Sequence, residues 1–286
     1  MTTSLVPEAM SEQAVEDLVK SIGIPARPSL LSDVQLEMSK DDPDPRTIAK
    51  LVSQDVAMSA ALLKSANSVF FGLKRKAETV EQAASFLGLT QTTSILLGLI
   101  SRKAINAEGH MLTRFWDVST KRSLAMARLA KEMRLCAPDV AHTFGLFCDI
   151  GIPLLMTRFP DYAQTLALAN NEDEQPFTRI EEVRHSINHA IIGAIMSRSW
   201  GLSANLTHAI RVHHDYEVMV EKATPPEVSS LIAMCVLSER AIQSYQNLNR
   251  HAEWDKGGML AREVLGISED EVIDYCEDLH AIFNDA

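Results

Sequence analysis

Helix punctuation is the feature that most restricts what this chain can fold into. Asp44 followed by Pro45 places a side-chain cap and a first-turn proline ahead of Ile48, Leu51 and Val52, whose spacing gives one apolar face. Thr79-Val-Glu-Gln82, Thr178-Arg-Ile-Glu181 and Ser268-Glu-Asp-Glu271 each fit a capping box opening a helix. Gly88 and Gly201 follow helical runs, at positions where a left-handed C-terminal cap suits glycine. Alternating two-residue patterns are scarce. Helices packed on helices are therefore expected, an all-α fold with no sheet.

The same signals divide the chain. A helix is expected near Ser11 to Ser21, followed by a rigid lead-in through Pro25 and Pro28. Short helices run to about residue 107. The break Ala107-Glu-Gly109-His110 precedes a long helix starting near Met111, and the polar stretch Asn170 to Pro176 reads as a loop before the helix carrying His189. Ala223-Thr-Pro-Pro226 sets off a C-terminal helical segment. Asn67-Ser68, followed by Val69, Phe70 and Phe71, reads as a helix stop under aromatic packing.

Composition removes several classes of function. A hydrophobic share of 46% with 23% charged residues opposes disorder, and no apolar run approaches the roughly 18 residues of a membrane span. The first residues, Met1 to Pro7, lack a basic segment leading into an apolar one, so a cytoplasmic protein is expected. Cys136, Cys148, Cys235 and Cys276 are too dispersed for a zinc knuckle or a disulfide framework, and reduced, mostly buried thiols are expected. A net charge of -11 opposes nonspecific attraction to nucleic acids and anionic membranes. Residues 64–134 run against this balance, with 12 bases to 5 acids and Lys74-Arg75-Lys76 near their start. Such a segment could meet an acidic partner or a nucleotide, and scattered charge on solvated helix faces explains it equally well.

The stretch Gly145-Leu-Phe-Cys148-Asp149-Ile-Gly151 reads as a metal-binding turn with one ligand exchanged, since a His-Asp pair in place of Cys148-Asp149 would mark a metal-dependent phosphohydrolase. Further candidate ligands lie downstream at His189 and the adjacent His213 and His214. His185 and His189 are four apart, a spacing that would share a helix face, with His185 expected to be solvated. Neighbouring residues on an ideal helix point about 100° apart, so His213 and His214 reach one metal together only in an irregular turn.

In their order these pieces carry a family resemblance. The Pro25 to Pro28 lead-in, Asp55 to Ser68 and Thr79 to Gly88 resemble the first half of an HDOD domain. Phe115-Trp116, Gly145 to Gly151, Glu181, His189 to Gly193, Trp200-Gly-Leu and Ala209 to His214 resemble its second half. The resemblance implies an HDOD-type helical bundle over 24–217, split into 24–107 and an HD-like half at 111–217. Residues 1–23 would form an N-terminal extension, and 218–286 would be helices packing on the HD-like half. It also implies that the second half is related to the HD superfamily of metal-dependent phosphohydrolases. Carried over position by position, Val118 and Cys148 stand where that superfamily has histidines, while Asp149, His189, His213 and His214 remain and Glu239 falls at the late carboxylate.

Physical chemistry weighs those changes. Valine cannot ligate, and one thiolate in place of imidazole suits zinc better than magnesium or manganese. Asp149, His189 and one of the histidine pair could still form a three-ligand site for zinc, manganese, magnesium or iron, with Cys148 and Glu239 as further candidates. Each also has a structural reading as a hydrogen-bonded buried polar group. The expected function is a non-catalytic bacterial signalling module acting through a protein partner or a small ligand such as a nucleotide or phosphate. The alternative is a divergent metal-dependent phosphohydrolase acting on a phosphate ester. A nucleic-acid factor using the basic middle segment ranks third, and no membrane partner is expected.

Overall fold

The chain turns back on itself wherever the sequence carries a cap. The computed structural model describes residues 22–68, 71–73, 75–105, 110–248 and 251–284, and among these no strand occurs. The expected helix near Ser11 to Ser21 lies outside the described residues, as do Val69, Phe70 and Lys74. The first half comprises α1 (Ser29–Met38), α2 (Pro45–Ser53), α3 (Val56–Ala66), α4 (Val80–Leu87) and α5 (Leu89–Ala104). The second opens with the long α6 (His110–Met133), then α7 (Pro138–Phe147), α8 (Gly151–Arg158), α9 (Tyr162–Ala169), α10 (Phe177–His185), α11 (His189–Ser199) and α12 (Ala204–Val212). A 3-10 turn at Tyr216–Val220 leads to α13 (Pro226–Tyr245), α14 (Ala252–Leu265) and α15 (Glu269–Phe283). The α13 helix packs against α6 and α12, so the C-terminal segment closes over the same helices that carry the motif residues.

Most of the punctuation acts as expected. Asp44 accepts from the Arg46 amide with Pro45 in the first turn, and Ser268 and Glu271 complete a reciprocal capping box. Gly88 and Gly201 take φ of +78° and +80°. The Asn67 side chain does more than end α3. Its Oδ1 accepts the Ala77 amide at 2.7 Å and its Nδ2 donates to the Ala77 carbonyl at 2.8 Å, so it ties the following loop shut. Thr178-Arg-Ile-Glu181 is not a capping box. Phe177 starts α10 after Pro176, no side chain caps it, and Glu181 is fully buried, facing the interior.

One apolar core runs through both halves. At their seam α5 lies on α7, where Ser94 Oγ meets His142 Nδ1 at 2.8 Å and Thr143 Oγ1 at 2.9 Å. Trp200, fully buried, is the second fastening. Its indole N–H donates to the Pro25 carbonyl at 3.0 Å and its own carbonyl accepts from Gln35 Nε2 at 3.1 Å. Contrary to the expectation from composition, Pro138–Arg158 is long and apolar enough to cross a bilayer, but 67% of that window is buried as α7 and α8, with a turn at 148–150 between them. All four cysteines are free, three of them buried and Cys136 half-buried.

Candidate metal centre

The two glycines of the Gly145 to Gly151 motif explain how the site is assembled. A Cβ at Gly145 would lie 2.6 Å from Ser123 Cα, so α7 can approach α6 this closely only without a side chain there. A Cβ at Gly151 would run into the His189 carbonyl group, 2.8 Å from its carbon. Between them the chain makes the tight turn that carries Cys148 and Asp149. Asp149 Oδ1 lies 3.2 Å from both His189 Nε2 and His213 Nε2. His189 Nε2 is 3.4 Å from His213 Nε2 and 3.2 Å from His214 Nε2.

His213 and His214 converge because α12 ends at Val212 and the pair occupies the turn beyond it. The ligand atoms of Asp149, His189, His213 and His214 all lie within 4.8 Å of one another. His185 is elsewhere. It closes α10, Ser186 follows with φ +58°, and His189 begins a separate helix, so the two histidines share no face. His185 is half-buried, stacked on Phe159 with centroids 4.5 Å apart and bonded to Thr165 at 2.8 Å, where a solvated side chain was expected.

The outward-facing nitrogens decide what the cluster can hold. His189 Nδ1 lies 2.7 Å from Glu181 Oε2, His213 Nδ1 lies 2.7 Å from the Ile210 carbonyl oxygen, and His214 Nδ1 lies 2.7 Å from Glu253 Oε2. Each acceptor draws the ring proton to Nδ1 and turns the Nε2 lone pair toward the common point, as metal-binding histidines require. Metal–nitrogen bonds of about 2.0–2.1 Å set neighbouring ligands roughly 3.0–3.4 Å apart, matching the distances from His189 Nε2 to its three partners and from Asp149 Oδ1 to His213. The residues fit a single divalent ion. Three nitrogens and a carboxylate oxygen suit zinc, iron or manganese better than calcium.

The surrounding charges hold this arrangement. Burial works against the charge on Asp149, but Arg122 and the hydrogen bond from His189 outweigh it and keep the carboxyl well below the usual range. Burial also opposes a charged His189, yet Glu181 and Asp149 raise it to about 10, so the metal-free ring is doubly protonated and an incoming ion would replace its Nε2 proton. Burial and the neighbouring His214 lower His213 to about 4, leaving it neutral. Glu181 also accepts from the Tyr162 hydroxyl, and Glu253 from the Tyr216 hydroxyl. Phe177 stacks on His214 at 5.1 Å and meets His189 edge-on at 5.5 Å.

Cys148 and Glu239 stand apart from the four ligands. Cys148 Sγ is 2.7 Å from Arg122 Nη1, and Glu239 accepts from Arg122 Nε, so both face a guanidinium instead of the histidines. Arg122 and Glu253 are the residues that reading the sequence missed. The spacing of Phe115, Val118 and Arg122 gives one stripe on α6, and all three line the same cavity. Glu253 has no such local signal, since it reaches His214 from 39 residues further along the chain.

Against this geometry the comparison with known proteins is direct. The model of the HDOD domain matches residues 24–216. The chain belongs to the HDOD family. An uncharacterized protein of Treponema pallidum is 24% identical over 205 residues, 71% of this chain but 40% of its own length, so the chain spans under half of that curated relative. Among solved structures, a provisionally named phosphohydrolase from Shewanella amazonensis superposes with a TM-score of 0.70 at 20% identity, covering 93% of this chain and 96% of that one. An HDOD domain protein of unknown function from Geobacter sulfurreducens gives 0.64 at 18%, covering 94% and 96%. At these identities the likeness establishes the all-helical HDOD fold.

Partners of the histidines are testable independently of function. Glu181→Gln keeps the volume but weakens the grip on His189 Nδ1, and metal affinity is expected to fall about 10–100-fold. Titration with zinc against a competing chelator measures it; an unchanged affinity would show that Glu181 does not orient the ring.

Proposed function

We propose that this HDOD chain is a non-catalytic signalling module that binds one divalent metal at Asp149, His189, His213 and His214 and reads a small anionic ligand there. The observation that carries this reading is the set of three anchored Nδ1 atoms, which leaves three Nε2 lone pairs and Asp149 Oδ1 converging. When bound, the metal supplies a Lewis-acidic position for one oxygen of that ligand.

The chain's own residues supply the rest. A cavity of about 610 Å³ opens over the cluster, a volume that suits a small molecule. Phe115, Ile152, Met156 and Leu166 offer apolar walls for the body of the ligand, while Gln243 and Gln246 add amides to the lining. The carboxylates around the centre are all engaged, Glu181 by His189 and Tyr162, Glu253 by His214 and Tyr216, and Glu239 by Arg122. Each is held in place by these bonds, which supports a binding role. A protein partner would then read the liganded state, and a phosphate or nucleotide is the chemistry the cluster would hold best.

Elemental analysis and metal titration test the reading together with hydrolysis assays. The expected result is one zinc, manganese or iron per chain, lost in Asp149→Ala, with no release of phosphate from mono- or diesters. Stoichiometric metal with phosphatase or phosphodiesterase turnover that Asp149→Ala abolishes would replace it with the hydrolase reading. Absence of any bound metal would remove the metal from the proposal.

A further inference from the structure

Beside the histidine cluster lies a second set of converging donors, and its centre is already filled by a side chain. Arg122 is 3% exposed. Its Nη2 donates to Asp149 Oδ2 at 2.6 Å, its Nη1 to Cys148 Sγ at 2.7 Å and its Nε to Glu239 Oε1. Two carboxylates and a sulfur from two separate segments thus meet at one point, with the buried Cys235 among the neighbouring cavity walls. Asp149 is shared, with Oδ1 facing the histidines and Oδ2 facing the guanidinium.

We propose that Arg122 is a tethered cation occupying a second metal position, and that it keeps this centre to a single metal ion. The inference rests on the single-metal reading above and names the residue that limits it. A guanidinium is permanently charged and presents a planar fork of donors, so it satisfies acidic groups as an ion would but carries no open coordination position. While it is present, Asp149 Oδ2 cannot ligate and a second cation meets a buried positive charge. Two-metal hydrolases clamp the attacking and leaving oxygens between ions about 3.5–4 Å apart. With Arg122 in one of those places, no such clamp forms, which is the chemical basis for a receptor in place of a hydrolase.

Without the guanidinium, Cys148, Asp149 and Glu239 would be left as two carboxylates and a thiol around an unneutralised pocket. Glu239 has a long side chain and Cys235 lies close by, so the set can contract around a smaller ion. A sulfur among oxygens favours a soft divalent metal, zinc or cadmium.

The experiment compares the full chain with Arg122→Ala and Arg122→Lys, loading each with cadmium and zinc and reading metal per chain together with the sulfur-to-cadmium charge-transfer band. The wild type is expected to stop at one ion with no band that depends on Cys148. Arg122→Ala is expected to take two, with a band that Cys148→Ser removes, and Arg122→Lys to remain at one. A folded Arg122→Ala chain that binds no additional ion overturns the proposal. Should that variant not fold, the wild type decides alone: a second ion with a Cys148-dependent band in the presence of Arg122 overturns it, and saturation at one without the band upholds it. A wild type that binds no metal while Arg122→Ala binds one at Cys148 would defeat the histidine-site reading and its count of one ion, and would uphold Arg122 as the tethered cation of the second position.

Discussion

Gly151→Ala is expected to destabilise the protein by about 3 kcal/mol or more and to abolish metal binding in whatever folded fraction remains. Overpacking a core costs about 1–3 kcal/mol when flexible side chains can move aside, and more when they cannot. Here the added methyl meets the His189 carbonyl group, which is backbone at the first turn of α11 and has no rotamer to yield. Separating α8 from α11 would draw His189 Nε2 away from Asp149 Oδ1, now 3.2 Å distant. Urea unfolding with zinc titration measures both effects. A stable variant with wild-type affinity would mean that the two helices part without disturbing the cluster.

Trp200→Ala is expected to cost about 3–5 kcal/mol, the range for emptying a buried tryptophan site. The side chain is fully buried beside Phe147, with ring centroids 6.2 Å apart, and it holds the Pro25 carbonyl through its indole N–H. Such a loss would lower Tm by on the order of 10 °C in a chain of this size. Trp200→Phe separates the two contributions, since it keeps most of the packing and removes the bond to Pro25. Protection of the α1 amides from hydrogen exchange should drop in both variants, because Gln35 on α1 is bonded to the Trp200 carbonyl. If only amides of the second half lose protection, Trp200 does not fasten the halves together.

Much of this fold is legible because caps and prolines act locally. Asp44, Pro45, Gly88 and Ser268 settle their own helix ends with no help from distant residues, so reading them in order recovers the all-helical layout. Thr178 shows where local reading fails. The Ser/Thr-x-x-Glu spacing is right, but Glu181 finds stronger partners in Tyr162 and His189 than in a helix end. The four clustered ligands were visible as residue types in family order. Their convergence depended on α12 stopping at Val212, which frees His213 and His214 from helical geometry.

Arg122 and Glu253 were hidden for different physical reasons. An arginine within a long helix ordinarily belongs to a solvated face, and only its burial against Cys148 and Glu239 gives it a role at the site. Glu239 was a further candidate ligand at the late carboxylate position; in the structure its Oε1 accepts from Arg122. Glu253 acts through tertiary contact alone.

The α7 helix joins two places that otherwise have nothing in common. Its first turns carry Asp139, His142 and Thr143 against Ser94 of α5, and its last residue leads directly into Cys148 and Asp149. Ten residues at 1.5 Å each make it a strut of about 15 Å, anchored at one end in the first half and at the other in the ligand cluster. A displacement of Asp149 along the axis of this strut would therefore be carried to the Ser94 contact at its other end.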